Sequence, residues 1–180
     1  LKNVLSQSYS ERYDNFSLFE LDRNFKKPFP IMEFLTAPAS TKYHGNYEGG
    51  LFDHSYATYE ALRDLTFGMG LNWGRPESPL IVGLFHDLCK IDSYIKTPNS
   101  EYPYDHNKAP IIDGHGEKSV IYLQKYIDLT DEEIACIRWH MGAYEKDTSK
   151  WDYYDRAISM YPNVLYTHTA DMIASKIIGV

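Results

Sequence analysis

The run Leu84-Phe85-His86-Asp87-Leu88-Cys89-Lys90 constrains this chain most, because it sets an imidazole and a carboxylate at the end of an apolar helical segment. Pro79 to Leu88 contributes Leu80, Ile81, Val82, Leu84, Phe85 and Leu88, a pattern that reads as a buried helix. His86 and Asp87 are therefore expected inside apolar surroundings. An ionised carboxylate is costly to bury alone, and a divalent cation is one partner that offsets the cost. Further along stand His54, His115, His140 and Asp171, each flanked by helix-like sequence. Imidazole nitrogen and carboxylate oxygen together suit Mn, Fe, Zn and similar divalent ions, whereas the lack of paired thiolates argues against a closed structural zinc site.

Helical patterns cover roughly Ser10 to Asn24, Leu51 to Gly68, Pro76 to Lys90, Gly114 to Ile127, Asp131 to His140, Trp151 to Ser159 and Pro162 to Ile178. No alternating strand pattern competes, so the expected fold class is all-α, a helical bundle. Thr130 followed by Glu133 has the form of a capping box at the start of the helix carrying Cys136, Ile137 and His140. Pro76 and Pro162 stand where a first helical turn tolerates proline. The 180 residues are read as one domain, with 1–40 as an N-terminal helical extension and 41–180 as the metal-binding core. Asp92 to Asp113, rich in Pro, Asn and Asp, reads as an irregular lid or specificity loop, and Gly142 to Lys150 as a second lid.

Charge and cysteine usage narrow the function classes. A formal net charge of -7 disfavours broad, sequence-independent nucleic-acid binding, which relies on a basic surface to displace counterions. It does not exclude a small anionic substrate, because distant surface charges are screened over a Debye length of about 8 Å and the local charge of a metal site decides. Cys89 and Cys136 both lie in apolar helical contexts, as small buried thiols rather than a disulfide. No apolar run approaches a membrane span, and Leu1 to Ser6 lacks the long apolar core of a signal peptide. The expectation is a soluble, cytoplasmic protein with no membrane partner.

The ordered set His54, His86-Asp87, His115, His140 and Asp171 spreads metal-type ligands over five successive helical segments. In that order, and in the words Phe52-Asp53-His54, Leu84-Phe85-His86-Asp87-Leu88-Cys89-Lys90, Gly114-His115-Gly116-Glu117, Trp139-His140-Met141-Gly142 and Ala170-Asp171-Met172, the chain resembles the HD-domain superfamily of metal-dependent phosphohydrolases, in its extended H…HD…H…H…D form. The resemblance runs from about His44 to Lys176. It implies an HD-domain-like all-α bundle with a metal site in a central cleft, holding two divalent ions drawn from Mn, Fe, Ni, Co, Mg or Zn. One ion would be held by His54, His86, Asp87 and Asp171, and the second by Asp87 as a bridge with His115 and His140. The implied activity is cleavage of a small phosphorylated substrate, a phosphomonoester or phosphodiester of nucleotide-like kind, by metal-activated hydroxide. Di-iron oxygen chemistry on the same ligands, or nucleotide binding without turnover, are the alternatives. Cys89 stands where the family's H-D-x-G-K word usually has glycine, and Lys90 is kept. A thiol in an apolar helix is inert, so Cys89 is not read as a nucleophile.

Asp87, Lys90 and His44 are the catalytic candidates. Lys90 is placed to orient a phosphate oxygen or, structurally, to favour a helix end; His44 is placed as a proton donor or substrate contact or, structurally, as a solvated loop histidine. His168, three residues before Asp171, reads as a neighbour supporting the ligands, and His106 as chemically idle. Lys118, Arg138 and Lys146 offer charge to a phosphate or simply form a solvated face. Tyr94, Tyr102, Tyr104 and Tyr144 fall in the lids near Trp139, either to stack on a base or to order the loops.

Overall fold

The computed structural model describes residues 25–97, 101–145 and 147–180, and the helix expected over Ser10 to Asn24 lies outside them. Among the described residues the chain is predominantly helical. The α-helices are α1 (Ile31–Thr36), α2 (Gly50–Met69), α3 (Ser78–Phe85), α4 (His115–Leu123), α5 (Asp131–Trp139), α6 (Trp151–Met160) and α7 (Asn163–Met172). Short 3-10 turns occupy Leu88–Asp92, Gly142–Tyr144 and Thr148–Lys150, and a π-helical turn, Ile173–Ile178, follows α7. None of the described helices is long and apolar enough to cross a membrane.

The central helix α2 packs against α3 and α7, and α5 joins α7 to α4. Leu51, Leu62, Ile81, Leu84, Phe85, Leu123, Ile137 and Val164 form the buried core between them. At one end, Phe25, Phe29, Phe34, Phe85 and Tyr126 interlock edge-on and stacked, with Phe25 and Phe29 ring centroids 5.0 Å apart. Close helix approach depends on two positions that tolerate no side chain. A Cβ on Gly83 of α3 would stand 2.5 Å from the Tyr59 Cα of α2, and one on Gly116 of α4 would stand 2.2 Å from the Arg138 carbonyl oxygen of α5. Both contacts lie beside histidines of interest: Gly83 precedes His86, and Gly116 follows His115.

Thr130 and Glu133 form the expected capping box, each side chain bonding the other's backbone N–H. Glu133 does more than cap. It is fully buried, takes a two-pronged ion pair from Arg75 at 2.8 Å on each oxygen, and accepts the Ser78 hydroxyl at 2.7 Å. One carboxylate thereby ties the start of α3 to the start of α5.

Three local expectations change. The helix read over Pro76 to Lys90 ends at Phe85, and Asp87, at φ -104° and ψ 19°, sits in the sparsely populated bridge region between α3 and the 3-10 turn. Its first turn carries Pro79 rather than Pro76. The stretch Asp92 to Asp113, read as irregular, holds an antiparallel pair, β1 (Tyr94–Lys96) and β2 (Tyr104–His106), with Ile95 opposite Asp105. Strands of three residues are too short to show alternation, and their backbone pairing rather than an apolar face defines them.

Candidate metal centre

Each side chain of interest is delivered by a helical stripe that otherwise builds the core. On α2 the buried positions Leu51, His54, Ser55, Thr58 and Leu62 recur at helical spacing, so His54 points inward with its apolar neighbours. Glu133, Cys136, Ile137 and His140 do the same for α5 and the residue that caps it. His86 caps α3, His115 opens α4, and Asp171 lies one residue past buried Ala170 in α7. His54, His86 and His140 are fully buried and Asp87 nearly so. His115 and Asp171 keep 35% and 15% of their side-chain surface exposed.

The six residues converge. His54 Nε2 lies 3.2 Å from His86 Nε2, 3.4 Å from Asp87 Oδ2 and 3.3 Å from Asp171 Oδ1. His86 Nε2 is 3.5 Å from the same Asp87 oxygen. The other oxygen, Oδ1, faces His115 Nε2 at 2.6 Å and His140 Nε2 at 3.4 Å. Asp87 thus turns one oxygen to each of two neighbouring histidine pairs. Three ligand triads, His54/His86/Asp87, His86/His140/Asp171 and Asp87/His115/His140, each have their donor atoms within 4.8 Å of one another and can hold a metal ion.

Backbone hydrogen bonds fix the ring orientations. Nδ1 of His54 donates to the Val180 carbonyl at 3.0 Å, that of His86 to Gly83 at 2.9 Å, and that of His140 to Ile137 at 2.7 Å. Spending the Nδ1 proton outward directs Nε2 inward, the arrangement that outer partners impose on metal-binding imidazoles. Protein groups alone satisfy the result only in part. His54 Nε2 and His86 Nε2 share a hydrogen bond of 3.2 Å, but His140 Nε2 is buried without a hydrogen-bond partner. A metal–ligand bond of about 2.1 Å gives ligand–ligand edges of roughly 3.4 Å in a tetrahedron and roughly 3.0 Å in an octahedron. The 3.2–3.4 Å separations from His54 Nε2 lie in that span, and the 3.5 Å from His86 Nε2 to Asp87 Oδ2 stands just above it. The residues present therefore fit a divalent cation.

Without an ion, protons and one lysine compensate the carboxylates. Lys90, buried, places Nζ 2.5 Å from Asp87 Oδ2. Burial works to lower the Lys90 pKa, but Asp87 outweighs it and the net movement is upward. Burial likewise works to raise Asp87, and Lys90, His86 and His115 hold it well below the ordinary carboxylate range instead. Asp171 is lowered in the same manner by His54 and His86 against its own desolvation. His54, which burial alone would lower, is raised to about 9 by Asp171 and Asp87. His115 is raised to about 10, against burial, by Cys89 and Asp87. His86 follows its burial and falls to about 3.

Other candidates take definite places. His44 lies against the centre, its ring centroid 4.7 Å from that of His54 and its Nε2 buried without a partner. Burial, then His54 and Lys90, lower its pKa to about 4, so it is neutral at pH 7 in the ion-free chain and is not a ready proton donor. His168 donates Nδ1–H to the His140 carbonyl at 2.7 Å and its ring packs against Gly142, so it braces the His140 turn. Lys118 is paired with Asp92 at 2.5 Å, and Arg138 with Glu117 at 2.5 Å and Glu145 at 3.3 Å, so neither is a free cation. Lys146 lies outside the described residues. Of the lid tyrosines, Tyr94 packs on His106 and lies within electrostatic reach of Lys90 and Asp87, Tyr102 sits under Lys42, Tyr104 is buried in β2, and Tyr144 lies beside His168.

An open, polar cavity of about 260 Å³ adjoins the centre, lined by Cys89, Ser93, His106, Asn107, Asp113 and His115 among others. It reaches the centre through its most exposed candidate ligand. The sequence signals missed the supports: carbonyls carry no residue-type signature, and Cys89, whose Sγ lies 3.6 Å from His115 Nδ1, reads in sequence as packing alone. No family model matches the chain, and no curated protein and no solved structure matches it.

Proposed function

We propose that the chain is a metal-dependent phosphohydrolase of the HD-domain kind, cleaving a phosphomonoester or phosphodiester of nucleotide-like type. The observation that carries this reading is the division of the Asp87 carboxylate, with Oδ2 toward His54 and His86 and Oδ1 toward His115 and His140. That arrangement suits a carboxylate shared by two cations. Neutral imidazoles add no charge and Asp87 and Asp171 supply two negative charges, so two divalent ions leave the centre positive where the chain as a whole is at -7. When bound, such ions supply Lewis acidity and lower the pKa of water to about 7.

The chain's own groups then have distinct tasks. Buried His54, His86 and His140 offer preset nitrogens that need no reorganisation. Lys90 holds Asp87 in its bridging orientation through Oδ2. His44, neutral and with a buried unpartnered nitrogen, can exchange a hydrogen bond with substrate or water beside His54. The cavity at His115 gives the organic part of an ester room outside the buried nitrogens.

The test is a panel of phosphomonoesters, phosphodiesters and nucleotides incubated with the full chain reconstituted with Mn, Fe, Co, Ni, Mg or Zn. Release of phosphate or cleavage of a diester, lost in His54→Ala and Asp87→Asn, is expected. No turnover with any of these ions overturns the proposal.

A further inference from the structure

The ligand histidines are not supported alike. His54, His86 and His140 each give Nδ1–H to a backbone carbonyl between 2.7 and 3.0 Å, and each is fully buried. His115 has sulfur instead: Cys89 Sγ lies 3.6 Å from its Nδ1. A thiol is a weak acceptor, and a weak outer partner leaves an imidazole less firmly oriented toward a metal. His115 is also the one of the four that solvent reaches, through the cavity it shares with Cys89. Its Nε2 is engaged at 2.6 Å on Asp87 Oδ1, a contact that a cation must break before it can bind there.

The thiol is nevertheless held in register with the ring. The Cys89 backbone N–H donates to Ser119 Oγ at 3.0 Å, and Ser119 lies one turn along α4 from His115. The 3-10 turn carrying Cys89 and the helix carrying His115 are thus fastened together.

We propose that the two cation positions are unequal, the one at His54, His86, Asp171 and Asp87 Oδ2 filling first, and that Cys89 is the positioning residue that sets the affinity of the second, at Asp87 Oδ1, His115 and His140. The inference rests on the metal-centre reading above. It makes the second ion exchangeable and the first resident.

Calorimetric titration of the ion-free full chain with Mn²⁺, backed by chelator competition, reads both positions without reference to turnover. The wild type is expected to bind in two steps separated by about tenfold or more, the scale on which outer partners act. His115→Ala removes the second step and spares the first. Cys89→Ala weakens the second step by about a further tenfold, while Cys89→Ser, whose hydroxyl is a stronger acceptor than a thiol, tightens it relative to the wild type. Thermal melts of the ion-free variants establish that each is folded, and Cys89→Ser carries the comparison if Cys89→Ala is not. Two steps of equal affinity, or a Cys89→Ala variant that moves neither step or both alike, overturn the inference and leave the metal centre standing. Absence of any uptake overturns the metal centre and the inference with it.

Discussion

Replacing Asp87 with asparagine removes the anion on which Lys90, His54 and His115 all depend, and its cost can be worked from their burial. The Asp87–Lys90 pair is 2.5 Å long with side chains 3% and 8% exposed, so little solvent is available to a stranded ammonium. Removing one member of a buried pair costs about 3–5 kcal/mol. The ammonium can escape by losing its proton, which from an ordinary lysine pKa of about 10.4 to pH 7 limits the penalty to roughly 5 kcal/mol. The two estimates agree, and for a chain of this size they correspond to a fall in Tm of about 6–20 °C for the ion-free protein. Adding Lys90→Met should return most of the loss, since an uncharged pair of similar volume needs no compensation. It should not return Mn²⁺ binding, because the Asp87 carboxylate is still missing. Urea and thermal unfolding of the single and double variants at pH 7, with a Mn²⁺ titration of each, separate the two effects. A loss of about 1 kcal/mol or less for Asp87→Asn, the level of a solvent-exposed pair, or no recovery on adding Lys90→Met, refutes the reasoning.

Cation uptake should release protons, because His54 and His115, raised to about 9 and about 10, carry a proton on each nitrogen at neutral pH in the ion-free chain. Apparent affinity is expected to rise with pH between about 6 and 9 and calorimetric heats to vary with buffer ionisation enthalpy; affinity that is flat or falling over that range contradicts the assignment. The same two raised values mean that the ion-free chain draws stability from these imidazoles in full below their ordinary pKa of 6.5 and loses it as pH climbs through about 9 and about 10. His86, lowered to about 3, acts oppositely: its contribution is present above 6.5 and is lost as pH falls toward 3, visible in ion-free melts over the acid range. Gly83→Ala should destabilise by about 1–3 kcal/mol through its clash with Tyr59 and weaken metal binding by spreading α2 from α3. Gly68→Ala, in the same α2 but with nothing within 4 Å of the new Cβ, should be neutral or stabilising by up to about 1 kcal/mol in the same denaturation assay.

Much of this organisation is legible in residue order, for a physical reason. A histidine such as His54 or His140 on an otherwise apolar helical stripe is carried inward with its neighbours, so helical periodicity alone indicates which imidazoles become buried. The capping box at Thr130 and Glu133 is local and reads directly. What does not read is whatever depends on partners distant in sequence. Glu133 meets Arg75 and Ser78 across more than fifty residues, and the Val180 carbonyl that orients His54 comes from the far end of the sequence. The β1–β2 pair is set by backbone pairing across a turn, with too few residues to display a pattern. Lys118 and Arg138 look like free surface charge in sequence, yet Asp92, Glu117 and Glu145 consume them. His44 could be placed beside His54 only once the chain preceding α2 was folded back onto its start, where the Gly45 carbonyl accepts the Ala39 N–H at 2.8 Å.

The convergence of His54, His86, Asp87, His115, His140 and Asp171 on bound cations is tested most directly by elemental analysis of the chain purified without chelator, alongside His54→Ala and Asp87→Asn. A divalent transition metal in stoichiometric amount in the wild type, and its loss from both variants, is the predicted result. Wild-type protein devoid of such metal even after incubation with Mn²⁺ or Zn²⁺, or metal content unchanged in Asp87→Asn, contradicts it.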